Sequence, residues 1–270
     1  MGCQKRSERF VIDRLHQLPL LFGAIIVCLI FVVPTLIGSS LLQPAVGRLM
    51  RGEKDPNSVV GLLLNTFSLY YGVLLALLSI AVFENYNRAQ DAVGREASSV
   101  IALNRIFSGY PEPIRISLSE TLRQYVDEET GPGWTYQQRN QVSTRGTQLV
   151  DQLSRDLLNF RPNRGAGEDL IHAEALQTFN FFIEQRRLRI QAAGTSIPRV
   201  IWGVVLVGAA LNVFVLWLFD LNRMTHLILG CVLMIFVGLV VYMVGVLDRP
   251  FHGAHGLKPD DLIHARQQMN

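Results

Sequence analysis

Four long apolar blocks, paired toward the two ends of the chain, restrict what this sequence can fold into. Leu18 to Leu42 and Ser58 to Phe83 run without one charged side chain. Ile201 to Phe219 is equally uncharged, and Thr225 to Leu247 holds only His226 near its edge. Crossing ~30 Å of hydrocarbon takes about 20 predominantly apolar residues as a helix. Each block therefore suffices for one span, and no window between Glu84 and Ser196 approaches that character. The expectation is an all-α integral membrane protein with four transmembrane helices, two plus two, and a helical insert between spans two and three. Its parts are an N-terminal tail (1–17), spans one and two (18–83), the insert (84–196), spans three and four (197–247) and a C-terminal tail (248–270).

Composition agrees. Hydrophobic residues make up 49% of the chain and charged residues 17%, against about 25% charged in an ordinary soluble domain. A formal charge of +3 is too small for a nucleic-acid binder. The insert is nearly neutral, with 13 Arg against 14 acidic residues. Cys3, Cys28 and Cys231 lie far apart and form no disulfide framework or CxxC site. The first apolar run exceeds the about 7–15 residues of a signal-peptide core, so it reads as an uncleaved anchor.

Orientation follows from the basic residues of the loops. The tails, the insert and its approach to the third span hold 21 of the 25 Lys and Arg. The other two connections hold Arg48, Arg51, Lys54 and Arg223. Both termini and the insert are expected on the cytoplasmic side. Trp202 and Trp217 suit the two interfacial belts of the third span.

Within the insert the pattern predicts helices and no strand. The first continues from span two, from Glu84 to about Phe107, until Pro111 and Pro113 stop it. A second runs from about Pro113 to Glu129, a loop follows at Gly131-Pro132-Gly133, and a third runs from Tyr136 to Asn159. A fourth starts near Glu168 and is interrupted around Gly194 and Pro198 before the third span.

The second span carries a stripe. Gly61, Asn65, Ser68, Gly72, Ala76, Ser79, Phe83 and Tyr86 recur every three or four residues, whereas the other faces are Leu, Val and Ile. Small and polar residues are the usual material of helix contacts in lipid. The same face suits the lining of a water-filled path, because it spares polar groups from lipid. In the second reading Asn65, Ser68, Gly72, Ala76 and Ser79 line the path, Phe83 constricts it, and Arg88 and Arg95 attract anions at its mouth. Asn212, midway along span three, is expected to hydrogen-bond across helices. His252, His255 and His264 with Asp260 and Asp261 lack the support a metal site needs, so no metal and no cofactor are expected. No phosphate loop, nucleophile elbow or catalytic carboxylate pair is present, and an enzyme is not expected.

Several runs carry a family likeness. Phe83-Glu84-Asn85-Tyr86-Asn87-Arg88-Ala89, then Val93 through Glu96-Ala97 and Ala102-Leu103-Asn104-Arg105, resemble the bestrophin-like family of bacterial membrane proteins. So do Pro111-Glu112-Pro113-Ile114-Arg115 and, after the last span, Leu247-Asp248-Arg249-Pro250-Phe251. Asn85, Glu96, Arg105, Pro111, Pro113, Arg115, Asp248, Arg249 and Pro250 are the signature positions. A more distant similarity is to the bestrophins, pentameric anion channels whose second span lines the pore. The resemblance implies a homo-oligomer in a bacterial inner membrane, with inorganic anions as its permeant species and the lipid bilayer as its partner. Gln90, Asp91 and Ala92 stand where bestrophins carry tryptophans, and no acidic run for a calcium clasp follows the last span, only the pair Asp260-Asp261, so calcium gating is not implied. The alternative function is a non-conducting scaffold or sensor whose insert binds another protein.

Overall fold

The computed structural model describes residues 20–49, 55–163, 167–219, 221–253 and 255–269. The N-terminal tail, with Arg51, Lys54 and Asp220, lies outside the described residues. Nine helices and no strands occur among the described residues: α1 (Leu20–Leu49), α2 (Pro56–Phe107), α3 (Ile114–Thr130), α4 (Pro132–Gln138), α5 (Thr144–Asn159), α6 (Glu168–Gly194), α7 (Arg199–Trp217), α8 (Arg223–Leu247) and α9 (Asp260–Gln267). The helices α1, α2, α7 and α8 carry the four apolar blocks. In hydrocarbon only a helix satisfies every backbone donor and acceptor within one segment, which is why these blocks form helices.

The chain divides into two compact units. The first holds the residues up to Glu84, Ser196–Asp248 and Gly253–His255; the second holds Asn85–Thr195, Arg249–His252 and Gly256–Asn270.

In the first unit, Phe31 and Val32 of α1, Tyr71, Leu75, Leu78 and Val82 of α2, Val205, Ala209 and Val213 of α7 and Met234, Val237, Val241 and Val244 of α8 form one core. Small residues set the distance of closest approach. A Cβ at Gly238 would stand 2.9 Å from the Cα of Cys28, so α1 and α8 meet there backbone to backbone. Gly23 faces Tyr242 and Gly230 faces Thr35, so the two helices run antiparallel. Gly38 lies under the Trp217 indole, and Gly208 lies under the Tyr71 ring.

In the second unit, the α2 residues beyond Asn85 pack with α3, α4, α5, α6 and α9 around Leu103, Phe107, Leu118, Leu122, Tyr125, Leu153, Leu157, Phe182 and Phe251. α5 illustrates why the segment is helical: Leu149, Val150, Leu153 and Leu157 return every three or four residues to one buried face. Its start differs from the expectation at Tyr136. Residues Pro132–Gln138 form their own short helix, with proline in its first turn. Asn140 then takes a left-handed conformation at φ 56°, which ends that helix. Ser143 restarts the chain by accepting the Gly146 N–H at 3.0 Å as an N-cap.

Candidate functional site

Two sets of residues stand out: the small and polar stripe of α2 in the first unit, and a buried ionic cluster in the second. On α2, Val60, Tyr71, Leu75, Leu78 and Val82 mark the side buried within the chain. The stripe flanks that side and is largely uncovered. Asn65, Gly72, Ala76 and Phe83 are exposed, and Ser68 and Ser79 are half-buried. A Cβ at Gly72 would meet nothing within 4 Å.

The two serine hydroxyls of the stripe are already engaged. Ser79 donates to the Leu75 carbonyl at 2.7 Å along its own helix. Ser68 donates to Asn212 Oδ1 at 2.9 Å, and Asn212 Nδ2 donates to the Gly208 carbonyl at 2.9 Å. The expected cross-helix bond of Asn212 is thus present, and it takes up one stripe residue. Arg88 and Arg95 are exposed.

At the end of α8, the Asp248 carboxylate is buried. It accepts the Ile197 backbone N–H at 2.6 Å and the Trp202 Nε1–H at 3.4 Å, which ties the approach to α7 to the end of α8. A carboxylate just before a helix start meets free backbone donors and the positive end of the helix dipole.

The second unit encloses Arg189, 1% exposed. Its Nε donates to Glu96 Oε2 at 2.5 Å and its terminal nitrogens reach Glu96 Oε1 at 3.1 Å and Glu129 Oε2 at 2.9 Å. It also donates to the Gln137 amide oxygen. The Tyr125 hydroxyl donates to Glu96 Oε1 at 2.5 Å, and the Trp134 ring lies 5.9 Å from the guanidinium carbon. Arg186 approaches Glu129 Oε1 at 3.7 Å. Gly146 makes room for the Glu129 carboxylate, which occupies the place a side chain would take. Burial opposes the charge on Arg189, but the flanking Glu96 and Glu129 carboxylates outweigh it and hold its pKa well above the ordinary arginine value. Burial and the same carboxylates push the Tyr125 phenol well above its usual value, so it stays a donor. The cluster is filled and internally paired, which suits a structural lock rather than a ligand site.

The signature positions fall in different surroundings. Glu96 belongs to the ionic cluster, Asp248 anchors α7, Pro250 is buried, and Arg115 pairs with Glu112 on the surface. Arg105, Pro111 and Pro113 are exposed, and Asn85 and Arg249 are half-buried. Among the described residues no group of three His, Cys, Asp or Glu side chains is arranged to hold a metal. The sequence reading passed over Arg189, Glu129, Tyr125 and Gln137. A signal existed: Ala175, Phe179, Phe182, Arg189 and Ala193 share one helical face of α6, so the arginine stands on an apolar stripe.

Four helices long and apolar enough to cross a membrane, joined to a second helical unit, define a multi-span membrane protein. Residues 29–262 match the bestrophin-like domain, and the chain belongs to that family. No curated protein matches it by sequence. Its fold is shared with a bacterial bestrophin homologue from Klebsiella pneumoniae, solved as a point mutant: TM-score 0.65 at 12% identity, over 91% of this chain and 97% of the other. A second solved structure, described only as a membrane protein variant, aligns at a TM-score of 0.64 and 13% identity over the same shares of the two chains.

Proposed function

We propose that this chain is one subunit of an oligomeric, anion-permeable pore in a bacterial inner membrane, with the α2 stripe lining the path. One observation carries the reading. Asn65, Gly72 and Ala76 are exposed on an otherwise Leu-, Val- and Ile-rich span, and no helix among the described residues covers them. A carboxamide facing hydrocarbon without a hydrogen bond loses several kcal/mol, so such a face calls for water or another subunit. Subunits arranged around a central axis supply both. Both termini and the second unit then lie in the cytoplasm, a placement that the distribution of Lys and Arg supports. Phe83, 55% exposed, forms an apolar ring at the cytoplasmic end of the stripe. Arg88 and Arg95 act through their field rather than by contact with the ion.

The test is halide efflux from liposomes holding the purified protein, with a Gly72→Trp variant beside it. The open space at Gly72 lets the indole project from the stripe without displacing a helix of the same chain. Efflux that the variant abolishes supports the pore. Silent wild-type oligomers refute it.

A second reading draws on the Ser68–Asn212 bond, which spends part of the stripe on packing within the chain. It makes the protein a non-conducting scaffold whose insert recruits another protein. A closed ring of subunits favours the pore, and a monomer or dimer favours the scaffold.

A further inference from the structure

Two faces of the second unit are uncovered although each is partly apolar. On α6, Leu170, Phe181 and Leu188 are exposed, and Glu174 and Glu184 stand exposed beside them. On α5, Leu158 is exposed near the end of the helix and Val142 just ahead of its start, with Arg145 and Arg155 exposed between them. In the cytoplasmic setting proposed above, bared apolar side chains of this size mark a contact surface. Arg155, Glu174 and Glu184 form no ion pair among the described residues, and Arg145 donates to the Gln124 amide oxygen at 3.2 Å.

The two helices are antiparallel within the chain. Arg186 of α6 donates to the Thr147 hydroxyl near the start of α5 at 3.2 Å, and the rings of Phe160, just after α5, and His172, near the start of α6, meet with centres 5.5 Å apart. Copies related by rotation about an axis along these helices keep that antiparallel sense between α5 of one copy and α6 of the next. One register then satisfies four positions at once. Arg145 and Arg155 are ten residues apart, as are Glu174 and Glu184, ~15 Å along a helix in each case. Setting Arg155 opposite Glu174 therefore sets Arg145 opposite Glu184. It also brings Leu158 within one residue of Leu170, and Val142 within one residue of Leu188. Asp151 and Arg187 fall opposite Thr178 and Val142, so no like charges meet.

We propose that α5 of one copy docks on α6 of the next, the Arg145 and Arg155 face against the Glu174 and Glu184 face. The partner is a second copy of this chain, because each face carries the charges that the other lacks and apolar groups at matching ends. The charges set the register and the apolar groups supply buried area. The contact joins two different surfaces, the kind that closes into a ring. This rests on the oligomeric reading above and adds to it the surfaces that join the second units.

The experiment introduces Leu158→Cys and Leu170→Cys singly and together, followed by mild oxidation in membranes and denaturing electrophoresis without reductant. The paired variant should give a ladder of covalent multimers, and each single variant should match the wild type. Adding Arg145→Glu and Arg155→Glu to the paired variant should cut the ladder several-fold. Reversing Glu174→Arg and Glu184→Arg as well should restore it, which a variant that merely misfolds would not do. Light scattering on the wild-type protein in detergent gives its oligomeric state. An oligomeric wild type whose paired variant yields no ladder, or a ladder indifferent to the charge reversals, overturns this contact and leaves the oligomer standing. So does a ladder that the second pair of reversals fails to restore. A monomeric wild type removes the oligomer, and the contact with it.

Discussion

Arg189 and Glu96 meet side by side in the interior of the second unit, two donors on two carboxylate oxygens, with neither residue more than 1% exposed. Such a fork gives direction as well as attraction, because a guanidinium presents its donors in a fixed plane. Glu129 and Gln137 take the remaining donors, and Trp134 covers a face. One cation thereby fixes residues from α2, α3, α4 and α6. Desolvating the ions costs much of what their attraction returns, so the gain lies in specificity of packing more than in net stability.

Removal of one partner should therefore be severe. Arg189→Met leaves Glu96 and Glu129 buried without their shared cation and should cost about 3–5 kcal/mol. Arg189→Met combined with Glu96→Gln should recover part of that loss, because one of the stranded charges is gone. Urea or thermal unfolding in detergent, followed by circular dichroism, measures both. Equal losses in the single and the combined variant would refute the coupling.

In the first unit, the Ser68–Asn212 bond predicts a smaller effect. Hydrogen bonds between membrane helices average about 0.6 kcal/mol and reach about 1.7 kcal/mol in double-mutant cycles. Asn212→Ala should fall within that range, and Ser68→Ala should add nothing in the Asn212→Ala background. A steric change should do more. Gly238→Val places a branched side chain where the Cα of Cys28 stands 2.9 Å from the first added carbon. Overpacking of a fixed core typically costs about 1–3 kcal/mol. Lower yield of folded protein and a lower melting temperature, with Gly238→Ala intermediate, are the expected readouts.

The spans were legible because a membrane demands a length and a polarity that few other structures imitate. The stripe was legible too, because Asn65, Ser68, Gly72, Ala76 and Ser79 differ in kind from the Leu, Val and Ile around them. The split between α4 and α5 was not. Val142 falls in register with Leu149 and Leu153 and disguises a break that Asn140 and Ser143 impose by local backbone chemistry. The ionic cluster was hidden for a different reason. Its members lie far apart in the chain, and thirteen arginines in a nearly neutral insert look like solvated surface. Only the helical phase of Arg189 with Phe182 and Ala193 marks it as inward.

Stability of the second unit should depend on pH through Tyr110 and His172, whose side chains hydrogen-bond at 2.8 Å. Burial lowers the His172 pKa, so the folded state favours the neutral ring. This contribution is fully present above the unfolded value of 6.5 and is lost as pH falls through that value toward the lower folded one. Tyr110, pushed up to about 12 by burial, acts in the opposite direction. Its contribution is present below the unfolded value of 10.0 and is lost as pH rises from there toward about 12. Melting temperature between neutrality and mild acid should fall more steeply in the wild-type protein than in His172→Gln. Identical slopes would remove His172 from the account.

Phe83 offers the most direct check on the proposed path. It lies at the end of the first unit's share of α2, 55% exposed and outside that unit's apolar core among the described residues. An apolar ring across a narrow aqueous path expels water and raises a barrier to ions without closing the path mechanically. Phe83→Ala removes the ring and should raise halide efflux several-fold. Leu77 is a fitting control, because it is 64% exposed yet stands away from the stripe. Six residues at ~100° each carry it about 120° around the helix from Phe83, toward lipid. Leu77→Ala should leave efflux unchanged, and Phe83→Trp should reduce it below the wild-type rate. Equal efflux from wild type, Phe83→Ala and Phe83→Trp would place the constriction elsewhere, and an increase for Leu77→Ala alone would move the path to another face of α2.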